Sequence, residues 1–229
     1  MSSTYFVFIV TSRDSPIYEQ FDSMRRLQMN SLGISHKFLI NGTLPVGYTL
    51  QDDEEYFEDA SFTPGMFLKF YNACKHLDTN YDFIIRVNSS TFINFLGIPS
   101  LLVELPKEKC RAGYPLTFYH DTNKIFIAGY LMIFSKDVIN YIINEISLNQ
   151  PDIYNSPDDC SLSIITDNYC QYLISNLINY FEFIQGDNFD FTCIKSNTLF
   201  FRIKNTDRIS TDINIWKKLM KLYRITLKT

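Results

Sequence analysis

Short apolar runs alternate with stretches of helical periodicity along the whole chain. Residues 5–11 are rich in Val, Ile and Phe and predict a strand that is buried on both faces. Ser15 and Pro16 then suit the start of a helix, Gly33 suits its end, and a second strand is expected at residues 36–40. A strand–helix–strand unit of about 30 residues has the length of a parallel crossover.

The same alternation continues towards the C-terminus. Helices are predicted at residues 63–77, 99–105, 136–146, 157–169 and 212–223, and strands at residues 81–87, 111–114, 125–134 and 180–184. This order favours an α/β fold in which one mixed, mostly parallel sheet is covered by helices on both faces. We expect residues 1–229 to form a single domain, with a C-terminal helix at about 212–224 packed on it.

Two local expectations concern exposure. In the first helix, Phe21, Met24, Leu27 and Gln28 recur at three-to-four-residue spacing, which predicts one buried face. Residues 52–59 are strongly acidic and are expected to be exposed.

Composition narrows the partners and the compartment. The chain has a net charge of −4 and no basic stripe, so nucleic acid is not an expected partner. No apolar run reaches the roughly 18 residues that cross a bilayer, and no basic segment precedes the first strand. The five cysteines are widely spaced and form no C-x-x-C motif. We therefore expect a cytoplasmic protein without a transmembrane segment, a disulfide framework or a zinc site.

Aromatic residues are abundant, with 20 Phe and 15 Tyr. Two interpretations stay open. The rings form a core that is rich in Phe, or some of them form a surface on which sugars or bases stack.

Polar loops follow several of the predicted strands. In a mostly parallel sheet, ligands bind outside the carboxyl ends of the strands, which selects residues 11–15, 88–91, 113–120 and the loop with residues 157–159. The sequence has no G-x-G-x-x-G, Walker A, G-x-S-x-G or H-E-x-x-H motif. Among the histidines, His120 falls in one of these loops, whereas His36 and His76 are expected at the surface or as caps.

Residues 81–94, with the sequence YDFIIRVNSSTFIN, resemble the strand of GT-A glycosyltransferases that ends in the D-x-D motif. Other segments are similar to those of β-1,3-galactosyltransferase and Fringe-like enzymes and follow in the same order. They are the helix around Lys69, GYP at 113–115, AGYLMIFSKD at 128–137 and PDD at 157–159. The resemblance spans about residues 5–205, and the chain also looks like the compact glycosyltransferases of large DNA viruses.

The resemblance implies an inverting hexosyltransferase that acts in the cytoplasm, either host cytoplasm or a viral factory. It would move a sugar from a nucleotide-sugar donor, with a UDP-sugar favoured, to a hydroxyl of a glycan or glycoprotein acceptor. The implied donor-binding residues are Thr11, Ser12, Arg13, Lys69, Arg86, Asn88, Ser89 and Ser90. The implied acceptor-binding residues are Tyr114, His120, Gly129 and Tyr130.

The sequence departs from the resemblance at the D-x-D positions, where residues 88–90 read N-S-S. An amide and a hydroxyl are poor ligands for Mn²⁺ or Mg²⁺, so binding of a divalent metal is expected to be weak or absent and no metal ligand is assigned. Arg202 and Lys204 point the same way if they lie on a strand, and with Arg208 they are candidate donor-binding cations in place of the metal. The alternative is that they are solvated surface charges.

Asp158 and Asp159 are the candidate catalytic residues. Sugar transfer with inversion needs a carboxylate that accepts the proton of the acceptor hydroxyl. The alternative is capping of the following helix, and both hold if one Asp caps while the other faces the pocket. Residues 52–53 and the pair Asp187 and Asp190 are rival acidic sites, interpreted as a solvated face and as turn residues.

Two other functions stay open. The missing D-x-D motif favours a non-catalytic binder of nucleotide sugars or carbohydrates with the same fold. A different nucleotide-dependent α/β enzyme, such as a methyltransferase, would need a Gly-rich first loop, which this chain lacks.

Overall fold

The computed structural model describes residues 3–59, 61–77, 80–118, 124–170, 175–186 and 188–223. The strands in these ranges are β1 (Tyr5–Val10), β2 (His36–Ile40), β3 (Glu54–Tyr56), β4 (Phe83–Asn88), β5 (Thr91–Ile93), β6 (Arg111–Thr117), β7 (Ile125–Ser135), β8 (Ser175–Asn176), β9 (Phe181–Ile184) and β10 (Phe200–Ile203). The α-helices are α1 (Pro16–Ser31), α2 (Gly65–His76), α3 (Ile98–Glu104), α4 (Lys136–Asn144), α5 (Pro151–Asn155), α6 (Asp158–Cys170) and α7 (Ile213–Leu222). None of these helices is both long and apolar enough to cross a membrane.

Seven of the described strands form one sheet in the order β3-β2-β1-β4-β7-β6-β8. Strands β3, β2, β1 and β4 are parallel to one another, whereas β7 is antiparallel to both β4 and β6. Strand β8 pairs with β6 in parallel. The predicted mixed, mostly parallel sheet is therefore confirmed.

Strands β1 and β4 are apolar on both faces because both faces of the sheet are covered. On one face Phe8 packs against Phe70 of α2, in a cluster that also includes residues of α4 and α6. On the other face Val7 and Ile85 belong to a cluster with Leu101 of α3. The alternation of side chains along each strand distributes the apolar residues between the two clusters.

A second sheet lies beside the first and is not predicted as a sheet from the sequence. Strand β10 pairs with β5 in antiparallel and with β9 in parallel orientation within the described chain. Strands β5 and β10 are only three and four residues long, which is too short for a clear period-two pattern. Helix α7 packs here through Trp216, whose ring lies 5.1 Å from the rings of both Phe21 and Phe92.

Burial along the chain corrects one expectation and resolves another. Leu27 of α1 was expected on the buried face but is 46% exposed. Of the 20 Phe residues, 13 are buried, so most of the Phe residues belong to the core.

The acidic stretch at residues 52–59 is not simply a solvated surface. Residues 54–56 form β3 at the edge of the sheet, and Glu54 is buried. Its carboxylate pairs with Arg13 at 3.1 Å and with Arg26 at 2.8 Å. Burial is tolerated because both cations reach this carboxylate from other elements.

Candidate active site at the carboxyl ends of the central strands

A cavity of about 410 Å³ opens where β1 and β4 end. The two strands are adjacent and parallel, so the residues that follow them meet at the same edge of the sheet. Strand β7, the start of α6 and the segment at residues 202–208 complete the wall. The predicted site residues that line this cavity are Thr11, Ser12, Asn88, Ser89, Ser90, Gly129, Tyr130, Asp158, Asp159, Arg202 and Lys204.

Asp158 is held at the bottom of the cavity by Arg86. The Arg86 guanidinium donates hydrogen bonds to the Asp158 carboxylate and to the Gly129 carbonyl. The Arg86 and Asp158 side chains are only 1% and 6% exposed. Burial raises the pKa of Asp158, and the charge of Arg86 opposes that shift. The Asp158 carboxylate is thus held in a buried ion pair with Arg86.

Asp159 lies beside it in a different environment. Its Oδ2 accepts a hydrogen bond from the Gly129 backbone N–H at 2.8 Å, and its Oδ1 accepts one from the Cys160 N–H at 2.9 Å. Across the described ranges, no Lys, Arg or His forms an ion pair with it. Because a carboxylate has about four acceptor positions, Asp159 retains capacity to accept a proton or a hydroxyl hydrogen bond.

Helix α1 supports the floor of the cavity with polar side chains. Asp22 accepts hydrogen bonds from the hydroxyls of Thr11 at 2.8 Å and Ser89 at 2.7 Å, and so joins the ends of β1 and β4. Arg25 donates to the carbonyls of Ser89, at 3.2 Å, and of Thr91. Burial raises the pKa of Asp22, although its hydrogen bonds to Arg13 and Ser89 oppose the shift.

Four predicted site residues lie behind the cavity wall instead of lining it. They are the donor-binding candidates Arg13, Lys69 and Arg86 and the acceptor-binding candidate Tyr114. Arg13 is buried between Asp22 and Glu54, at 2.8 and 3.1 Å. Arg86 is the partner of Asp158 described above, and His120 lies outside the described residues.

Lys69 and Tyr114 also act from behind. Lys69 is buried, and its Nζ donates to the Thr11 carbonyl at 3.0 Å and to Asn41 Oδ1 at 2.9 Å. Burial, together with the nearby charge of Arg86, lowers the pKa of Lys69 to about 7. The Tyr114 ring packs 6.2 Å from that of Tyr130, which does line the cavity.

The segment after β10 brings basic side chains to the opposite wall. Arg202 donates to the Ser90 hydroxyl, and its guanidinium lies 4.9 Å from the Tyr130 ring centroid. Lys204 is exposed and follows the strand directly, so both predicted cations reach the same cavity. Arg208 lines it as well and is fixed by Asp212 at 3.1 Å.

The residues at the D-x-D positions do not fit a divalent cation. The Ser89 hydroxyl is used by Asp22, and the Ser90 hydroxyl accepts from the Arg202 guanidinium. A cation bound at Ser90 would therefore face a positive charge at hydrogen-bond distance. The third group is a neutral amide, Asn88, whose Oδ1 is buried and has no hydrogen-bond partner. In the described parts of the chain, no group of three or more His, Cys, Asp or Glu side chains is arranged to hold a metal.

Several residues of the cavity wall are not singled out by the sequence. They are Asp14, Tyr18, Asn41, Ser61, Phe62 and Met66. Asp14 lies in the loop at residues 11–15 that the sequence selects, although it is not named there as a site residue, and Tyr18 lies in the first turn of α1. Residues 61–66 lead into α2, and nothing local in the sequence shows that they turn towards this edge.

The rival acidic sites lie elsewhere. Asp53 pairs with Arg26 at 2.7 Å and does not line the cavity. Asp190 accepts a hydrogen bond from the Thr192 N–H at 2.9 Å and caps a short turn, while Asp187 lies outside the described residues.

Comparison with protein-family models gives no match, and comparison with curated protein sequences gives none either. Among solved structures, the galactosyltransferase LgtC in complex with donor and acceptor sugar analogues gives a TM-score of 0.56 at 9% identity, covering 98% of this chain and 96% of its own. A glycosyltransferase involved in the glycosylation of the major capsid of PBCV-1 gives 0.51 at 9% identity, covering 94% of this chain and 98% of its own. The likeness spans nearly the whole of each chain, and the protein described here therefore has the GT-A fold.

Proposed function

We propose that this protein is an inverting glycosyltransferase that moves a sugar from a nucleotide-sugar donor, with a UDP-sugar favoured, to a hydroxyl of a glycan or glycoprotein. The observation that carries the proposal is the cavity at the ends of β1 and β4. It combines a carboxylate without an ion-pair partner in the described chain, Asp159, with the cations Arg202 and Lys204. Group transfer to a hydroxyl needs these two functions together.

The proposed reaction is a single displacement at the anomeric carbon. The acceptor oxygen forms a bond to that carbon while the bond from the carbon to the donor phosphate oxygen breaks. The electron pair of the broken bond stays on the nucleoside diphosphate. The proton of the acceptor hydroxyl passes to Asp159, and positive side chains stabilise the charge on the leaving diphosphate.

The choice between the two adjacent carboxylates follows from their partners. Asp158 would have to leave the buried Arg86 guanidinium in order to accept a proton, and leaving that charge unpaired is costly. Asp159 has no ion-pair partner among the described residues and lines the same cavity. It accepts hydrogen bonds from the backbone N–H groups of Gly129 and Cys160 and from the Cys160 thiol. We therefore assign the base to Asp159 and a positioning role to Asp158.

The remaining wall residues suit the two substrates. Thr11 and Ser12 are proposed to contact the nucleoside, because they end β1 at the sheet edge. Tyr130 offers a ring for the acceptor sugar, supported from behind by Tyr114. A likeness in fold to LgtC, which is solved with donor and acceptor sugar analogues, is compatible with this division.

One observation favours a second candidate, a non-catalytic binder of nucleotide sugars. Asn88, Ser89 and Ser90 stand where the D-x-D motif has acidic residues. A protein without these metal ligands can bind a nucleotide sugar in the cavity without transferring the sugar. The two candidates share the cavity, so they differ in turnover and not in binding.

The test combines binding and turnover on the wild-type protein. A panel of UDP-sugars and GDP-sugars is screened by thermal shift, and each stabilising compound is then followed for release of nucleoside diphosphate. We expect one nucleotide sugar to raise the melting temperature by mass action and to be hydrolysed slowly without an acceptor. Stabilisation without any release, also in the presence of glycan acceptors, would favour the binder. Stabilisation by S-adenosylmethionine but by no nucleotide sugar would contradict both.

A further inference from the structure

Three basic side chains of one short segment, Arg202, Lys204 and Arg208, line the cavity beside the Asn88–Ser90 turn. We propose that they form a diphosphate-binding site that takes the place of a divalent cation, so that donor binding does not require a metal. This inference rests on the proposed function for the identity of the donor. It also stands as a separate claim about the affinity of the cavity for a diphosphate.

The segment brings positive charge to the cavity. No carboxylate forms an ion pair with Arg202 or Lys204 among the described residues, and only Arg208 is neutralised, by Asp212. The cavity wall thus carries two cations without an ion-pair partner among the described residues, and the carboxylates of Asp14 and Asp159 line the same cavity without pairing with them. A diphosphate carries at least two negative charges and needs such a partner.

The two arginines are held in place before any ligand binds. Arg202 lies against the Tyr130 ring and donates to Ser90. Arg208 lies 5.2 Å from the Tyr18 ring centroid and donates to the Tyr18 hydroxyl at 3.1 Å. Side chains that are already ordered lose less conformational entropy on binding, which favours tight binding of the anion.

Two side chains of the segment have unused hydrogen-bonding capacity. The Nη2 atom of Arg208 is buried and has no hydrogen-bond partner in the described structure, although buried donors are normally satisfied. Lys204 makes no hydrogen bond or ion pair within the described residues. The exposed Lys204 ammonium group is therefore free to bind anionic oxygens in the cavity, whereas the Arg208 side chain has to move before its Nη2 atom reaches one.

The Arg202 guanidinium takes the place of a divalent cation and does not act beside one. The Arg202 guanidinium donates to Ser90, which stands at the last position of the D-x-D match. A divalent ion at that position and the guanidinium would repel each other at close range. The two are therefore alternatives, and this chain has the guanidinium.

The experiment is a calorimetric titration of inorganic pyrophosphate and of UDP, each in EDTA and in Mn²⁺. It uses wild type, Arg202→Ala, Lys204→Ala and the control Lys195→Ala. Lys195 is exposed, precedes β10 and does not line the cavity, so its variant matches the change in charge. We expect wild type and the control to bind both probes in EDTA, and each cavity variant to bind at least about tenfold more weakly.

Two outcomes overturn the inference. One is that the wild-type protein binds pyrophosphate and UDP only in Mn²⁺. The other is that Lys204→Ala and Arg202→Ala bind both probes in EDTA as tightly as the wild-type protein does. Because Lys204 is exposed, its variant is expected to fold even if Arg202→Ala does not. The proposed function fails separately: pyrophosphate that binds in EDTA to a protein that turns over no nucleotide sugar supports the anion site and contradicts the transferase. Turnover of a nucleotide sugar in Mn²⁺ by a protein that binds neither probe in EDTA does the reverse.

Discussion

Replacing Asp158 by Asn should destabilise the fold strongly while leaving the shape of the side chain almost unchanged. The substitution removes the negative charge from an ion pair in which Arg86 is 1% exposed and Asp158 is 6% exposed. Loss of one partner of a buried pair costs about 3–5 kcal/mol, because the other charge is left unpaired. In a chain of this length, about 1 kcal/mol shifts the melting temperature by roughly 2–4 °C, so the expected decrease is roughly 6–20 °C.

The assay is a double-mutant cycle followed by calorimetric unfolding at pH 7. The double variant Arg86→Met and Asp158→Asn has no unpaired buried charge at this position, so it should be more stable than the sum of the two single changes predicts. Asp152→Asn is the matched control, since Asp152 is also acidic in the first turn of a helix and forms no ion pair in the described chain. An Asp158→Asn variant that melts with the control, or strictly additive effects, would refute this assignment of the pair.

Two further predictions test the support of the site. In Gly129→Ala, the added Cβ would lie 3.0 Å from Arg86 Nη1 and 3.2 Å from Asp159 Oδ2. We therefore expect a loss of about 1–3 kcal/mol in stability and at least about a tenfold fall in donor turnover. Unchanged turnover would contradict the position of Asp159. Lys69 has a pKa of about 7 when folded, against about 10.5 in the unfolded chain, so above pH 7 the unfolded chain binds a proton that the folded chain does not. The free energy of unfolding of wild type minus that of Lys69→Met should therefore increase from pH 7 to pH 9, by up to about 1.4 kcal/mol per pH unit. A value that stays constant or decreases over this range would contradict the buried position of Lys69.

The sequence predicted the parts of the site that follow apolar strands. Residues after β1 and β4 were placed correctly at one edge of the sheet, because a run that is apolar on both faces indicates a central parallel strand. The start of α6, with Asp158 and Asp159, was likewise predicted from its position as a helix start.

Other parts depend on contacts that a local pattern does not contain. Asp22 and Arg25 of α1 are buried polar residues, and periodicity assigns such residues to the solvent side. They are buried because their partners, Thr11, Ser89 and the Thr91 carbonyl, approach from separate strands. A sequence pattern cannot show those approaches.

Arg13 illustrates the same limit for charge. It is a predicted donor-binding residue, but Glu54 lies 41 positions further along the chain and pairs with it at 3.1 Å. Whether a cation faces a ligand or a carboxylate depends on which distant strand lies next to it. By contrast, Arg202, a candidate donor-binding cation, does line the cavity, because its strand β10 pairs with β5 directly after the Asn88–Ser90 turn.

The most direct test of the central claim is the steady-state release of nucleoside diphosphate by wild type and Asp159→Asn, with the nucleotide sugar identified by thermal shift. We expect the variant to lose about 10²-fold or more in turnover while its affinity for the donor changes by less than about twofold, because the general base acts on the acceptor proton and not on donor binding. Asp152→Asn, in which the same change is made outside the cavity, should keep wild-type turnover. Wild-type turnover in Asp159→Asn would contradict the account.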